Sequence, residues 1–161
     1  MTSLNTISDR SVEILLVEDN PGDVDLARET MEESVIPITL IVAKDGVEAM
    51  NYLNKVGLAG DRMPDLVLLD LNLPKMDGRA VLEAMRSNEM LLLLPVIVLT
   101  SSDAERDIAE SYKRGANCYV KKPGDINRFR NVIRQIEEFW FTIVKLPPDQ
   151  YPPIELGGIV G

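Results

Sequence analysis

Four runs of apolar residues have strand length: 14–17 (ILLV), 66–69 (LVLL), 96–99 (VIVL) and 118–120 (CYV), with a weaker fifth at 38–43 (ITLIVA). They are near-continuous rather than alternating, which predicts strands of a parallel sheet covered on both faces. Between them, apolar positions recur at helical spacing. Val24, Ala27 and Met31 mark a helix over 23–34, and Val47, Met50 and Leu53 one over 47–55. Ala80, Val81, Ala84 and Met85 mark one over 79–87, and Ile108, Ala109 and Tyr112 one over 105–114. Pro21-Gly22-Asp23, Asp45-Gly46 and Asp77-Gly78 are turn signals ahead of helices, and Gly115 stands where a helix C-cap would precede the Cys118 strand. Strands alternating with amphipathic helices are the signature of βαβ units. Five strands and five helices fit between Ile14 and about Leu146, without an internal repeat.

The 161 residues suffice for one domain with a real core, and 45% hydrophobic against 27% charged residues is a globular balance. Composition then removes whole classes of chemistry. Cys118 is the sole cysteine, so neither an intrachain disulfide nor a Cys-rich zinc site is available. There is no histidine, which excludes Ser-His-Asp and Cys-His catalysis, imidazole metal ligands and a phosphohistidine carrier. A net charge of −9 argues against nucleic acid and anionic membranes as partners. Residues 1–10 hold no apolar signal-peptide core, and no apolar run is long enough to span a bilayer. A cytoplasmic protein is expected.

The candidate chemistry follows the strands. Glu18 and Asp19 come directly after Val17, Asp70 after Leu69, Thr100 after Leu99, and Lys121-Lys122-Pro123 after Val120. In an open parallel sheet the carboxyl ends of the strands share one edge, where ligands bind. Three carboxylates brought together there repel unless a cation joins them. Mg²⁺, a hard ion that accepts one or two carboxylates and keeps several waters, is the natural solution. A lysine opposite it leaves a gap suited to a phosphoryl group, with Thr100 in reach to hydrogen-bond one of its oxygens. Such an arrangement works by positioning and charge neutralisation.

These residues resemble the receiver domain of two-component response regulators over about Glu13 to Leu146. The likeness rests on the acidic pair Glu18-Asp19, Asp70 in LVLLDLNLPKMDG, Thr100 in VIVLTSS and Lys122-Pro123 in CYVKKP. The spacings, 30 residues from Asp70 to Thr100 and 22 from Thr100 to Lys122, match the family as well. The resemblance implies a flavodoxin-like, doubly wound sheet of five parallel strands in the order 2-1-3-4-5. It implies that Asp70 is the phosphoacceptor for a histidine kinase, and that Mg²⁺ is held by Glu18, Asp19, Asp70 and the backbone carbonyl of Asn72. Lys122 would pair with a phosphate oxygen, Thr100 would follow the phosphate inward, and Tyr119 would be the aromatic switch. The family further implies a cis Lys122–Pro123 peptide, an influence of Asn72 and Ser102 on phosphate lifetime, and a kinase docked near the first helix and the loop after Lys122. The opening VEDNPGD, Asn117-Cys118-Tyr119 and the ending EFW…VKLP are similar to single-domain regulators paired with phytochrome-type histidine kinases.

Each motif also has a local reading. Glu18-Asp19 with Asn20-Pro21 could form a solvated turn. Thr100-Ser101 could cap the following helix, the lysines could lie on the surface, and Tyr119 could be plain core. Strand alternation sends Lys121 and Lys122 to opposite sides, and the family match picks Lys122 for the site. Two rival functions differ in class. One is a phosphatase with an aspartyl-phosphate intermediate, which needs a second acid two residues after its nucleophile, where this chain has Asn72. The other is a binding module that keeps the fold without the phosphorylation switch. The expected protein is a signalling receiver rather than an enzyme, with self-phosphorylation and autodephosphorylation as its only turnover.

The chain divides into a flexible start (1–12), the receiver (13–146) and a Pro-rich arm (147–161). The last helix, expected over 125–144, is long for this fold. Ile126, Phe129, Val132, Ile133 and Ile136 form one stripe, but Phe139, Trp140, Phe141, Ile143, Val144 and Leu146 crowd several sides at its end. Such crowding is expected to mark an interface. The 15 residues after Leu146 are too few for an output domain, and their apolar anchors between prolines suggest an extended arm. A homodimer through the last helix and the arm is the expectation.

Overall fold

The computed structural model describes residues 11–148; the expected N-terminal segment up to residue 10 and the arm from 149 onward lie outside them. Strands β1 (Val12–Val17), β2 (Ile38–Ala43), β3 (Leu66–Leu69), β4 (Val96–Thr100) and β5 (Cys118–Lys121) alternate with helices α1 (Pro21–Glu32), α2 (Gly46–Ala59), α3 (Gly78–Arg86), α4 (Glu105–Lys113) and α5 (Ile126–Glu138). Every strand pair is parallel and the order is β2-β1-β3-β4-β5. This is the flavodoxin-like order that the resemblance implied.

Burial explains the apolar pattern. β3 and β4 are covered on both faces, and β1 nearly so. Leu15, Val17, Val67, Leu69 and Val98 pack with Leu53, Val81, Leu82 and Met85 from α2 and α3. Ile14, Leu16, Leu66, Leu68, Ile97 and Leu99 pack with Ala27, Met31, Phe129 and Ile133 from α1 and α5. β2 and β5 are edges and half-exposed, so their apolar signal is weaker. Four helices start on a side-chain cap: Asn20, Asp45, Asp77 and Asp125 each accept a backbone N–H three residues on. Each cap is worth about 1 kcal/mol. Pro21 therefore opens α1 instead of preceding it.

Several expectations need correction. α4 does not bury the stripe read from Ile108, Ala109 and Tyr112: Tyr112 is half exposed, and Ser111 is the buried residue. The helix lies beside an edge strand, which offers it little apolar surface. Ile126 and Val47 are exposed as well, because each sits in the first turn of its helix, beyond the core. The Lys122–Pro123 peptide is trans, not cis. The last helix is not one regular element. α5 gives way at Phe139 to a π-helical turn, Phe139–Ile143, closed by the Val144 N–H donating to the Phe139 carbonyl at 3.0 Å. The wider turn re-aims its side chains, so that Phe141 is buried while Phe139 and Ile143 are 51% and 65% exposed.

Candidate functional site

The sheet ladder delivers the site residues to one edge. Past the strand ends, Glu18 N–H donates to the Ala43 carbonyl (2.9 Å), Asp70 N–H to Val17 (3.1 Å) and Lys122 N–H to Thr100 (2.6 Å). The backbones of these side chains are thus fixed by continuing the strand pairing. Gly78 allows α3 to abut the acidic loop: a Cβ there would lie 2.2 Å from the Asp70 carbonyl oxygen.

Glu18 and Asp70 are buried, at 3% and 7% exposure, while Asp19 is exposed. One carboxylate oxygen from each of the three lies within 4.8 Å of the others. The burial of Glu18 rules out the solvated-turn reading. Its Oε1 accepts from Lys122 Nζ at 2.5 Å and its Oε2 from the Asn20 N–H at 3.1 Å. Lys122 Nζ also donates to Asp23 Oδ2 at 2.9 Å and stands 3.6 Å from Asp70 Oδ2. Its side chain is 10% exposed, against 55% for Lys121, which pairs with Asp103 outside the site. Alternation thus separates the two lysines as expected.

Electrostatics follow from this packing. Burial pushes the Glu18 carboxyl up to about 7, with the Asp70 charge adding to the rise and Lys122 opposing it. Burial alone would lower the Lys122 ammonium. Its hydrogen bonds to Glu18 and Asp23, and the charges of Glu18 and Asp70, outweigh that and hold it above its ordinary value. Three oxygen-donor carboxylates with one neighbouring ammonium fit a hard divalent cation, which would replace repulsion with ligation.

Thr100 ends β4, paired in register with Lys121 of β5. It is fully buried, and its hydroxyl has no hydrogen-bond partner among the described residues. It does not cap α4, whose N-cap is Ala104 without a side-chain bond. Asn72 lies exposed on the loop toward α3. Tyr119 is half-buried and its hydroxyl donates to the Ser102 carbonyl at 2.8 Å. Ser102 Oγ in turn donates to Asp107 Oδ2 (2.6 Å), and Arg79 grips the other Asp107 oxygen (2.5 Å). The β4–α4 loop is thereby fastened to both α3 and β5.

Asp23, Arg79 and Asp107 were not among the residues picked from sequence. Asp23 sits in the turn signal before α1, and its partner Lys122 is 99 positions away. Arg79 and Asp107 are 28 apart. No local pattern announces either contact.

Comparison with known proteins agrees with this geometry. Residues 14–134 match the family model of the response regulator receiver domain. Response regulator Rcp1 of Synechocystis sp. is 42% identical over 135 residues, covering 83% of this chain and 92% of its own. The crystal structure of the phosphorylated cyanobacterial phytochrome response regulator RcpA superposes with a TM-score of 0.82 at 42% identity, covering 86% of this chain and all of that one. The Mn²⁺-bound form of Rcp1 gives a TM-score of 0.79 at 41% identity, covering 85% and 99%. By fold, by site and by these relatives, the chain belongs to the response regulator receiver domain family, the signal-accepting module of two-component systems.

Proposed function

We propose that the protein accepts a phosphoryl group on Asp70 from a histidine kinase and signals through protein interfaces. The observation that carries this reading is the buried Asp70 carboxylate, set between the Glu18 and Asp19 oxygens and the Lys122 ammonium at the carboxyl edge of the sheet. An Asp70 oxygen forms the new O–P bond as the donor's N–P bond breaks. The electron pair leaves on the imidazole nitrogen, which takes up a proton. Glu18, Asp19, Asp70 and the Asn72 carbonyl would hold Mg²⁺, whose charge offsets that of the phosphoryl oxygens.

Lys122 neutralises one phosphoryl oxygen. The unpartnered Thr100 hydroxyl is the group free to gain a bond when a phosphoryl oxygen arrives. The Tyr119–Ser102 bond and the Asp107–Arg79 pair then report the change to α4 and β5.

The likeness to RcpA and Rcp1 supports a phytochrome-type kinase as partner. The exposed Phe139 and Ile143 support a homodimer through α5, the π turn and the arm at 147–161. Transfer of label from an autophosphorylated phytochrome-type kinase to this chain, lost in Asp70→Asn, tests the donor and acceptor together. Light scattering tests the dimer: deleting 147–161 is expected to lower the mass, and an unchanged mass would count against the arm.

A further inference from the structure

Lys122 has three N–H donors, and two of them are committed. One goes to Glu18 Oε1 at 2.5 Å and one to Asp23 Oδ2 at 2.9 Å, while Asp70 Oδ2, at 3.6 Å, lies beyond hydrogen-bond reach. Asp23 is well placed to hold on. Its backbone N–H is tied to the Asn20 cap in the first turn of α1, and its carboxylate is 29% exposed. Glu18 belongs to the acidic pair of the phosphoryl site, but Asp23 stands outside the acidic cluster around Asp70. Its contact draws the ammonium toward α1 and away from the acceptor.

We propose that Asp23 is a positioning residue of the phosphoryl site: it tethers Lys122 in the resting protein and gives it up when a phosphoryl group on Asp70 claims the ammonium. This inference rests on Asp70 being the acceptor. The tether sets a threshold. The Lys122–phosphoryl bond must replace a charge-assisted hydrogen bond that already exists, so the tether favours the unphosphorylated state. Asp23 also ties the first turn of α1 to the loop after β5, so release of Lys122 loosens that junction as phosphorylation occurs.

The test is the rate of phosphorylation by acetyl phosphate at saturating Mg²⁺, followed by intact mass, in the full chain. Asp23→Asn keeps the side-chain shape and removes the charge; it is expected to speed phosphorylation by roughly three- to ten-fold. Asp25→Asn removes the same charge from an exposed position on the same helix and is expected to change the rate by less than about two-fold. In a Lys122→Ala background, Asp23→Asn is expected to have no effect, since the tethered group is gone. Circular dichroism melts verify folding, and Asp23→Ala serves as a second variant if Asp23→Asn melts early.

An unchanged Asp23→Asn rate would overturn the tether, as would an equal gain in Asp25→Asn or a gain that persists without Lys122. If the wild type gains no phosphoryl mass from the donor or from a phosphorylated kinase, the acceptor reading itself fails and the tether with it. A wild-type gain with an inert Asp23→Asn overturns the tether alone.

Discussion

Thr100 is where stability and signalling are expected to conflict. Its hydroxyl is fully buried and unpartnered among the described residues, so the resting fold bears the cost of desolvating a polar group without a compensating bond. An unsatisfied buried group costs about 1–3 kcal/mol. Thr100→Val replaces the hydroxyl with a methyl of similar shape. The methyl is slightly larger and meets a packed strand end, so the gain falls toward the lower part of that range, about 1–2 kcal/mol. For a chain of this size each kcal/mol moves Tm by about 2–4 °C. Thermal melts of the unphosphorylated variant are therefore expected to shift upward by several degrees. The same variant is expected to take up the phosphoryl group on Asp70 yet lose the change in α4–β5 that follows, read as hydrogen exchange in 101–121. A downward shift of several degrees would refute the reasoning, because it would mean that the hydroxyl is already satisfied at rest.

Glu18 sets a pH dependence in the metal-free protein. Its folded value, about 7, lies above its ordinary 4.5, so its contribution to stability is complete below about pH 4.5 and is lost as pH rises through 7. The loss is at most about 3 kcal/mol; melts across the interval between those two values, from about pH 4.5 to about pH 7, should show it, and Glu18→Gln should flatten the slope there. Glu137 is buried at the α1–α5 junction, its carboxyl raised by burial against a hydrogen bond from Ser34, and its Oε2 has no partner among the described residues. Glu137→Gln is expected to raise Tm at pH 8 and to lose that advantage in acid, where the carboxyl is neutral in both states. Asp107→Asn breaks the Arg79 pair and weakens the Ser102 bond, so exchange at 101–107 should rise with little change in Tm, because solvent screens an outer ion pair.

The strands were legible because burial on both faces writes itself as unbroken apolar runs, and the runs 66–69 and 96–99 coincide with β3 and the body of β4. The helix starts were legible because capping is local: Asp45, Asp77 and Asp125 act within three residues of themselves. α4 was misread because Ala109 and Tyr112 have helical spacing but only an edge strand to cover. The π turn was not legible: the apolar crowding at 139–146 reads as the end of one regular helix, and nothing in it signals a change of pitch.

At the site, residues at strand ends could be named because topology alone brings them together. What stayed hidden was how Lys122 divides itself among Glu18, Asp23 and Asp70, a matter of ångströms between residues about 50 to 104 positions apart. The Asp107–Arg79 fastening was hidden for the same reason.

The central claim is that Asp70 takes a phosphoryl group at a metal-assisted site. Intact mass after incubation with Mg²⁺ and a small phosphodonor tests it most directly. One phosphoryl mass gain is expected, absent without Mg²⁺ and absent in Asp70→Asn. A gain that survives Asp70→Asn, or no gain from either the small donor or a phosphorylated kinase, would contradict it.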